Sequence, residues 1–478
     1  MKKLVSIVLA LVMILMVAVA SAATITINRH SSWNDENADP DALQATYTWH
    51  RIFDVDLTDA DHPVYTISGT GAADKVAALD DTIFEANLAA DGKYYIMLKS
   101  GVADNDVFEA LATMVANNST LFPGTDVTSD EDPVVLNVGD PGYFFIEASN
   151  GKNVAVQTAG TATVEEKNDY PTIDKKQKKA NGSWTDDPIP EEVGSVIYYE
   201  ITVHIPTDAT KAIKVFDTMT AGLTYNADLA ETNSIPFTAL PDSDSDYDSN
   251  ATFQIIFSDA TVIAHRGEDI VLTYSATVNT AAITDTGKEN EVTLIYDNGN
   301  YVLRDSTDYE IYFGGIYKVD PDDTSADMSG VKFDLKDGTG AAVNVTYDST
   351  NGYYKVDLDS TSNEVVTRAE TVGEDDAAVT YYTIKIRGLD NEKTYTLTET
   401  ETKNGYNLLN GTVTLTKTKD EGQAFADKDL DTFDRVENKK GTTLPSTGGI
   451  GTTIFYVLGG ILVIGAAVIL VARRKAHD

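Results

Sequence analysis

From residue 197 to residue 205 every second side chain is large and apolar: Ile197, Tyr199, Ile201, Val203 and Ile205. The pattern returns at Ile270, Leu272, Tyr274, Ala276 and Val278. A period of two places these side chains on one face of an extended strand, so each segment must bury that face against a second sheet. Several such strands between polar turns predict an antiparallel β-sandwich over residues 171–304. Residues 305–440 repeat the grammar with Val331-Lys332-Phe333-Asp334-Leu335, Tyr382-Thr383-Ile384-Lys385-Ile386 and Tyr395-Thr396-Leu397. Residues 23–170 are mixed, with strands expected at 45–55, 94–98 and 143–148. Val107, Leu111, Met114 and Val115 recur there at helical spacing. The expected fold is mainly β: tandem immunoglobulin-like sandwiches behind an N-terminal α+β domain. A chain of 478 residues, 42% hydrophobic, is long enough to need several cores and apolar enough to fill them.

The two ends place the body of the chain outside a cell. Met1-Lys2-Lys3, the apolar run Leu4 to Val19 and the small residues Ala20-Ser21-Ala22 have the three regions of a secretory signal, expected to be removed with residues 1–22. At the other end, Leu444-Pro445-Ser446-Thr447-Gly448 precedes an apolar stretch at 453–472 and the cations Arg473-Arg474-Lys475, within the segment 441–478. That stretch is long enough to cross a bilayer, with the cations on the cytoplasmic side. The chain has no cysteine, so no disulfide can brace it in an oxidising compartment and some other staple is expected. A net charge of −39 argues against nucleic-acid binding.

Leu444 to Gly448, followed by an apolar helix and a basic tail, resembles the cell-wall sorting signal of Gram-positive surface proteins. The resemblance implies that a sortase cysteine attacks the Thr447 carbonyl, expels Gly448 and passes the acyl group to an amine. Tyr395 to Thr400, continuing to Gly405-Tyr406, resembles the glutamate box of B-type collagen-adhesin domains. Phe216-Asp217, Gly222-Leu223-Thr224-Tyr225 and Asn290-Glu291-Val292 resemble A-type isopeptide-forming pilin domains. Together these liken the chain to a major pilin of sortase-assembled pili. Implied partners are pilus-type and housekeeping sortases, other copies of the chain, accessory pilins, peptidoglycan and a host or bacterial surface ligand.

Polar residues on apolar faces can be found from spacing alone, because residues two apart on a strand share a face. Lys175 follows Ile173, Asp217 follows Val215, and Asn290 precedes Val292 and Leu294. Lys318 follows Ile316, Glu399 follows Leu397, and Asn438 follows Val436. Each sandwich is thus expected to bury one lysine near its first strand, one acid in the middle and one asparagine in its last strand. Burial pushes the amine and the acid toward their neutral forms. A neutral amine can attack the carboxamide carbon while the protonated acid polarises its oxygen, leaving a Lys–Asn amide and ammonia. Because Lys176 adjoins Lys175, a one-residue slip of register would exchange the two.

Polymerisation also needs an exposed amine. Similar pilins carry it in a Val-x-x-Tyr-Pro-Lys-Asn segment. Here Val164-Glu165-Glu166-Lys167-Asn168 keeps Lys-Asn without Tyr-Pro, making Lys167 the candidate and Lys178 and Lys179 the fallbacks. Two other readings remain open: a monomeric wall-anchored adhesin or minor pilin, with the first domain as its ligand module, and a wall-attached enzyme on a sandwich stalk. For the enzyme, His30, His50, His62, His204 and His265 form no HExxH pattern and no phosphate loop follows a strand. No cofactor and no metal are expected. The acidic loops Asp242 to Asp246 and Asp320 to Asp323 lack the EF-hand pattern.

Overall fold

The structure is a computed structural model that describes residues 23–476, except 31–32, 34, 36, 40–42, 57, 60–61, 150–152, 159, 168, 242–247, 297–300, 374–377, 423–431 and 443–449. The expected signal (1–22), Asn168, the loop Asp242 to Asp246 and Leu444 to Gly448 lie outside the described residues.

The protein is mainly β. In the N-terminal region, Ala23–Asn28 pairs parallel with Thr161–Glu165 and antiparallel with Val134–Gly139. A larger sheet centres on Ala45–Asp56, flanked by Gly142–Ala148, Val64–Ile67 and Gly124–Ser129. The apolar face of the helix Asp104–Asn117 (Leu111, Met114 and Val115) is buried with Ile52, Phe53, Phe122 and Phe145 in a separate core. Asp104 and Asp106 occupy the helix's first turn, where carboxylates oppose the positive end of its dipole.

The second region is a sandwich. One sheet runs in the order Thr172–Lys179, Val196–His204, Asp269–Val278, Leu223–Tyr225. The other contains Tyr301–Glu310, Glu289–Tyr296, Ile213–Met219 and Phe253–Phe257 in that order. The alternation seen in the sequence is the inward face: Ile197, Tyr199, Ile201 and Val203 are fully buried, as are Ile270, Leu272 and Ala276.

The boundary expected at 304 falls inside Tyr301–Glu310, which pairs with Glu289–Tyr296 from Tyr301 to Asp308 and with Ile189–Pro190 at Tyr309 and Glu310. Thr307 and Tyr309, beyond that boundary, are buried inward-facing positions of the strand. The sandwich therefore extends to Glu310, and Asn290 stands on its penultimate strand rather than its last.

The third region starts at Tyr312–Val319, one buried residue (Ile311) later. This strand pairs with Val379–Leu389 on one side, and with Lys417–Lys419 and the parallel Asp434–Glu437 on the other. The opposing sheet runs Glu364–Val366, Lys332–Asp337, Tyr395–Glu401, Thr412–Thr414. Asn438 sits one residue past its strand, still donating its N–H to the Val319 carbonyl at 3.0 Å.

The three regions are docked along the chain. Trp33, Tyr170 and Tyr301 pack together where the first meets the second: Tyr170 and Tyr301 stack with ring centroids 4.6 Å apart, and Trp33 meets Tyr170 edge-on. Backbone bonds join Asp39 to Val302 and Arg304 to Asn37. Between the two sandwiches, Lys179 pairs with Asp390 and Glu392, Lys393 with Glu192, and Lys419 with Glu310. After the last sandwich comes the helix Ile450–Lys475, whose large apolar side chains from Ile454 to Val471 are exposed. Its span Thr453–Lys475 has a mean hydropathy of 2.8 and is long and apolar enough to cross a membrane.

Candidate functional site

In the second sandwich, Lys175 comes from the edge strand Thr172–Lys179, whose register puts it opposite Ile201. Its side chain is completely buried, whereas Lys176 points outward and pairs with Asp174. From the opposing sheet Asp217 brings a carboxylate oxygen 2.5 Å from Lys175 Nζ. Asn290, on the neighbouring strand, is also fully buried. The three residues meet at the hydroxyl of Tyr274: it donates to Asp217 Oδ2 at 2.5 Å, and accepts from Lys175 Nζ at 2.8 Å and from Asn290 Nδ2 at 3.1 Å. Burial drives the Lys175 amine below, and the Asp217 carboxyl above, their ordinary pKa values. Both shifts bring the amine and the acid closer in proton affinity, so that a proton can pass from one to the other.

In the third sandwich the arrangement differs. Lys318 and Val436 are register partners on neighbouring parallel strands, so Lys318 and Asn438 belong to one sheet. Lys318 Nζ donates to Asn438 Oδ1 at 2.7 Å, and Asn438 Nδ2 donates to Glu399 Oε1 at 2.8 Å. Glu399, from the opposing sheet, is also 3.7 Å from the amine. Its other oxygen accepts the Leu409 N–H at 2.6 Å, which fixes the carboxylate's orientation. Burial lowers the Lys318 pKa to about 8.

Both sets expected from the sequence are thus assembled. Two hydroxyls that touch them were not singled out there. Tyr274 lies on the buried face between Leu272 and Ala276, so the same spacing test finds it. Thr402 Oγ1, 2.5 Å from Asn438 Nδ2, follows the end of its strand and no periodic signal marks it.

Lys167 is exposed just after Thr161–Glu165, at the junction of the first two regions. The residue before it, Glu166, is buried and accepts hydrogen bonds from Tyr47 and Tyr170, at 3.2 and 3.0 Å. Lys179 is held in the ion pairs between the sandwiches, and Lys178 Nζ lies 4.1 Å from the Trp184 ring centre. Asp320 accepts from the Tyr406 hydroxyl at 2.8 Å and lies 3.3 Å from Lys440 Nζ. Among the described residues no three His, Asp or Glu side chains converge as a metal site.

Similarity to solved structures extends over most of the chain at low identity. The T6 backbone pilin of serotype M6 Streptococcus pyogenes is 15% identical, with 84% of this chain and 80% of that one covered at a TM-score of 0.44. The major pilin SpaD of Corynebacterium diphtheriae is 14% identical, with 89% and 99% covered at 0.43. The major pilin SpaA of the same species is 13% identical, with 87% and 100% covered at 0.44. No curated protein matches the chain. The LPXTG cell wall anchor motif matches residues 436–478, the segment that holds the sorting-signal residues and the apolar helix. Residues 436–478 are therefore an LPXTG cell wall anchor, and the chain is a cell-wall-anchored surface protein whose precursor spans the membrane.

Proposed function

We propose that the chain is a structural subunit of a covalent surface pilus that serves in adhesion, is polymerised by sortase and is braced by self-formed amide bonds. The bonds join Lys175 to Asn290 and Lys318 to Asn438, with Asp217 and Glu399 as the acids. The observation that carries the reading is the pair of buried lysine–acid–asparagine constellations, one per sandwich, in a cysteine-free chain that ends in a wall anchor. A stalk exposed outside the cell needs a brace, and an amide staple withstands reductants that open disulfides.

In assembly, a sortase acylated by Thr447 of one copy is resolved by Lys167 of the next. Lys167 suits this role because its side chain is exposed while the adjacent Glu166 is fixed by two tyrosines, so the amine projects from an anchored backbone. Denaturing electrophoresis of wall extracts tests the polymer: the parent gives a high-mass ladder. Lys167→Ala should leave wall-attached monomer, and replacing Thr447 should abolish both the ladder and the attachment. A parent that runs as one wall-linked species would instead be a monomeric adhesin. A full ladder from Lys167→Ala would move the acceptor to Lys178 or Lys179.

A further inference from the structure

We propose that Tyr274 is a catalytic residue of bond formation in the second sandwich, relaying a proton between Lys175 and the departing nitrogen of Asn290. This rests on the reading of Lys175 and Asn290 as bond partners. In the third sandwich the acid itself bridges the two: Glu399 touches Asn438 Nδ2 and lies near Lys318 Nζ. In the second, Asp217 Oδ2 is engaged by Lys175 and Tyr274, while Asp217 Oδ1 and Asn290 Oδ1 have no hydrogen-bond partner among the described residues. The group in contact with amine, acid and carboxamide nitrogen alike is the Tyr274 hydroxyl.

The ring carrying that hydroxyl is held on two sides. Tyr199 stacks on it at 5.2 Å and Phe253 meets it edge-on at 5.1 Å. Tyr199 and Tyr274 are also cross-strand register partners. Such packing locks the rotamer, and a preorganised donor–acceptor needs no reorganisation during the reaction.

The step balances without any co-reactant. Lys175 first gives its extra proton to Asp217, which leaves a neutral amine and a protonated acid. The Tyr274 hydrogen, no longer held by a carboxylate, can then turn toward Asn290. The Nζ lone pair attacks the Asn290 carbonyl carbon, forming the new C–N bond. As the tetrahedral adduct collapses, one Nζ proton passes to the Tyr274 oxygen while the phenolic hydrogen moves to Nδ2. The old C–N bond breaks and the departing ammonia takes the proton held by Asp217 and leaves as ammonium, so that Tyr274 and Asp217 return to their starting forms.

The test is time-resolved intact-mass measurement on refolded mature chain, with proteolytic mapping to assign each loss of about 17 Da to its sandwich. Tyr274→Phe keeps the ring and its stacking. It should slow the Lys175–Asn290 bond by roughly a hundredfold, at the low end of what a positioned proton-transfer group supplies. The Lys318–Asn438 bond of the same molecules should form at the parent rate. If Tyr274→Phe fails to fold, site-specific 3-fluorotyrosine at 274 preserves shape while making the phenol more acidic, and should alter the rate of the first bond alone. A parent rate in the folded Phe variant, or with fluorotyrosine, would overturn the relay. A parent chain that never loses ammonia from the second sandwich would overturn the bond itself, and the relay with it.

Discussion

The two sandwiches reach the same set of residue types by different routes. In the second, the lysine belongs to one sheet while the acid and asparagine stand on adjacent strands of the other, so a bond would staple sheet to sheet. In the third, the lysine lies on one strand and the asparagine one residue past the end of the neighbouring parallel strand of the same sheet, and only the acid crosses the core. The first geometry buries an amine against a carboxylate at 2.5 Å and needs a tyrosine to reach the carboxamide. The second places the amine directly on the carboxamide oxygen at 2.7 Å. What recurs is the chemistry of a buried amine, acid and amide, not their positions on the strands. The locations also differ along the chain: Asn438 lies at the start of the segment that matches the wall anchor, whereas a complete strand, Tyr301–Glu310, follows Asn290 before the next sandwich starts.

Removing the acids should separate the two sandwiches most. Asp217→Ala should abolish the Lys175–Asn290 bond and leave a buried ammonium without its counter-ion, costing about 3–5 kcal/mol in denaturant unfolding beyond the lost staple. Glu399→Ala should abolish the other bond at a smaller cost, about 1–3 kcal/mol, because Lys318 keeps its contact with Asn438. In both variants intact mass should rise by about 17 Da relative to the parent, corrected for the substitution. Equal stability losses would mean that the ion pair in the second sandwich carries no special weight.

A smaller difference should appear with pH. Burial lowers the Lys318 pKa to about 8, so below that value most of the amine is protonated and unreactive. Its bond should form about tenfold faster per pH unit from about pH 6 toward 8, then level off. In the second sandwich the proton can pass internally from Lys175 to Asp217, so that bond's rate should change little over the same range. The linkage sign is the same for stability. With Asn438→Ala blocking the bond, the unfolded chain holds a proton on residue 318 that the folded chain has released between about pH 8 and 10.4. Stability should therefore increase with pH through that window, and the penalty of a buried ammonium is greatest below it. A flat profile would remove the burial argument for Lys318.

The smallest effect expected is that of Thr402→Val. The Thr402 hydroxyl contacts Asn438 Nδ2, but Glu399 contacts the same atom, so losing the hydroxyl should slow the third-sandwich bond only about two- to fivefold. A slowing as large as that expected for Tyr274→Phe would make the two hydroxyls equivalent and erase the contrast between the sites.

Much of this was legible in the sequence because strand periodicity is strict. Lys175, Asp217, Lys318 and Glu399 each lie two residues from a core hydrophobic, and the pleat turns that spacing into burial. Tyr274 was visible by the same test but reads as an ordinary core aromatic until its hydroxyl is placed. The end of the second sandwich was obscured because Arg304, Asp305, Ser306 and Asp308 make an edge-like polar run of a strand whose inward positions, Thr307 and Tyr309, are only partly apolar. The parallel pairing of Asp434–Glu437 with Tyr312–Val319 joins segments more than a hundred residues apart, and no local pattern encodes such a contact. Nor does the sequence say whether a lysine and its asparagine share a sheet, which is the property that separates the two sites.

Bond formation in both sandwiches is read most directly from the intact mass of the mature secreted chain, with the cross-linked peptides mapped. Two ammonia molecules lost should put the mass about 34 Da below that of the processed sequence. Mapping should then show Lys175 joined to Asn290 and Lys318 joined to Asn438. A mass equal to the unmodified sequence would contradict bond formation, and the two buried constellations would then be ordinary hydrogen-bonded polar cores.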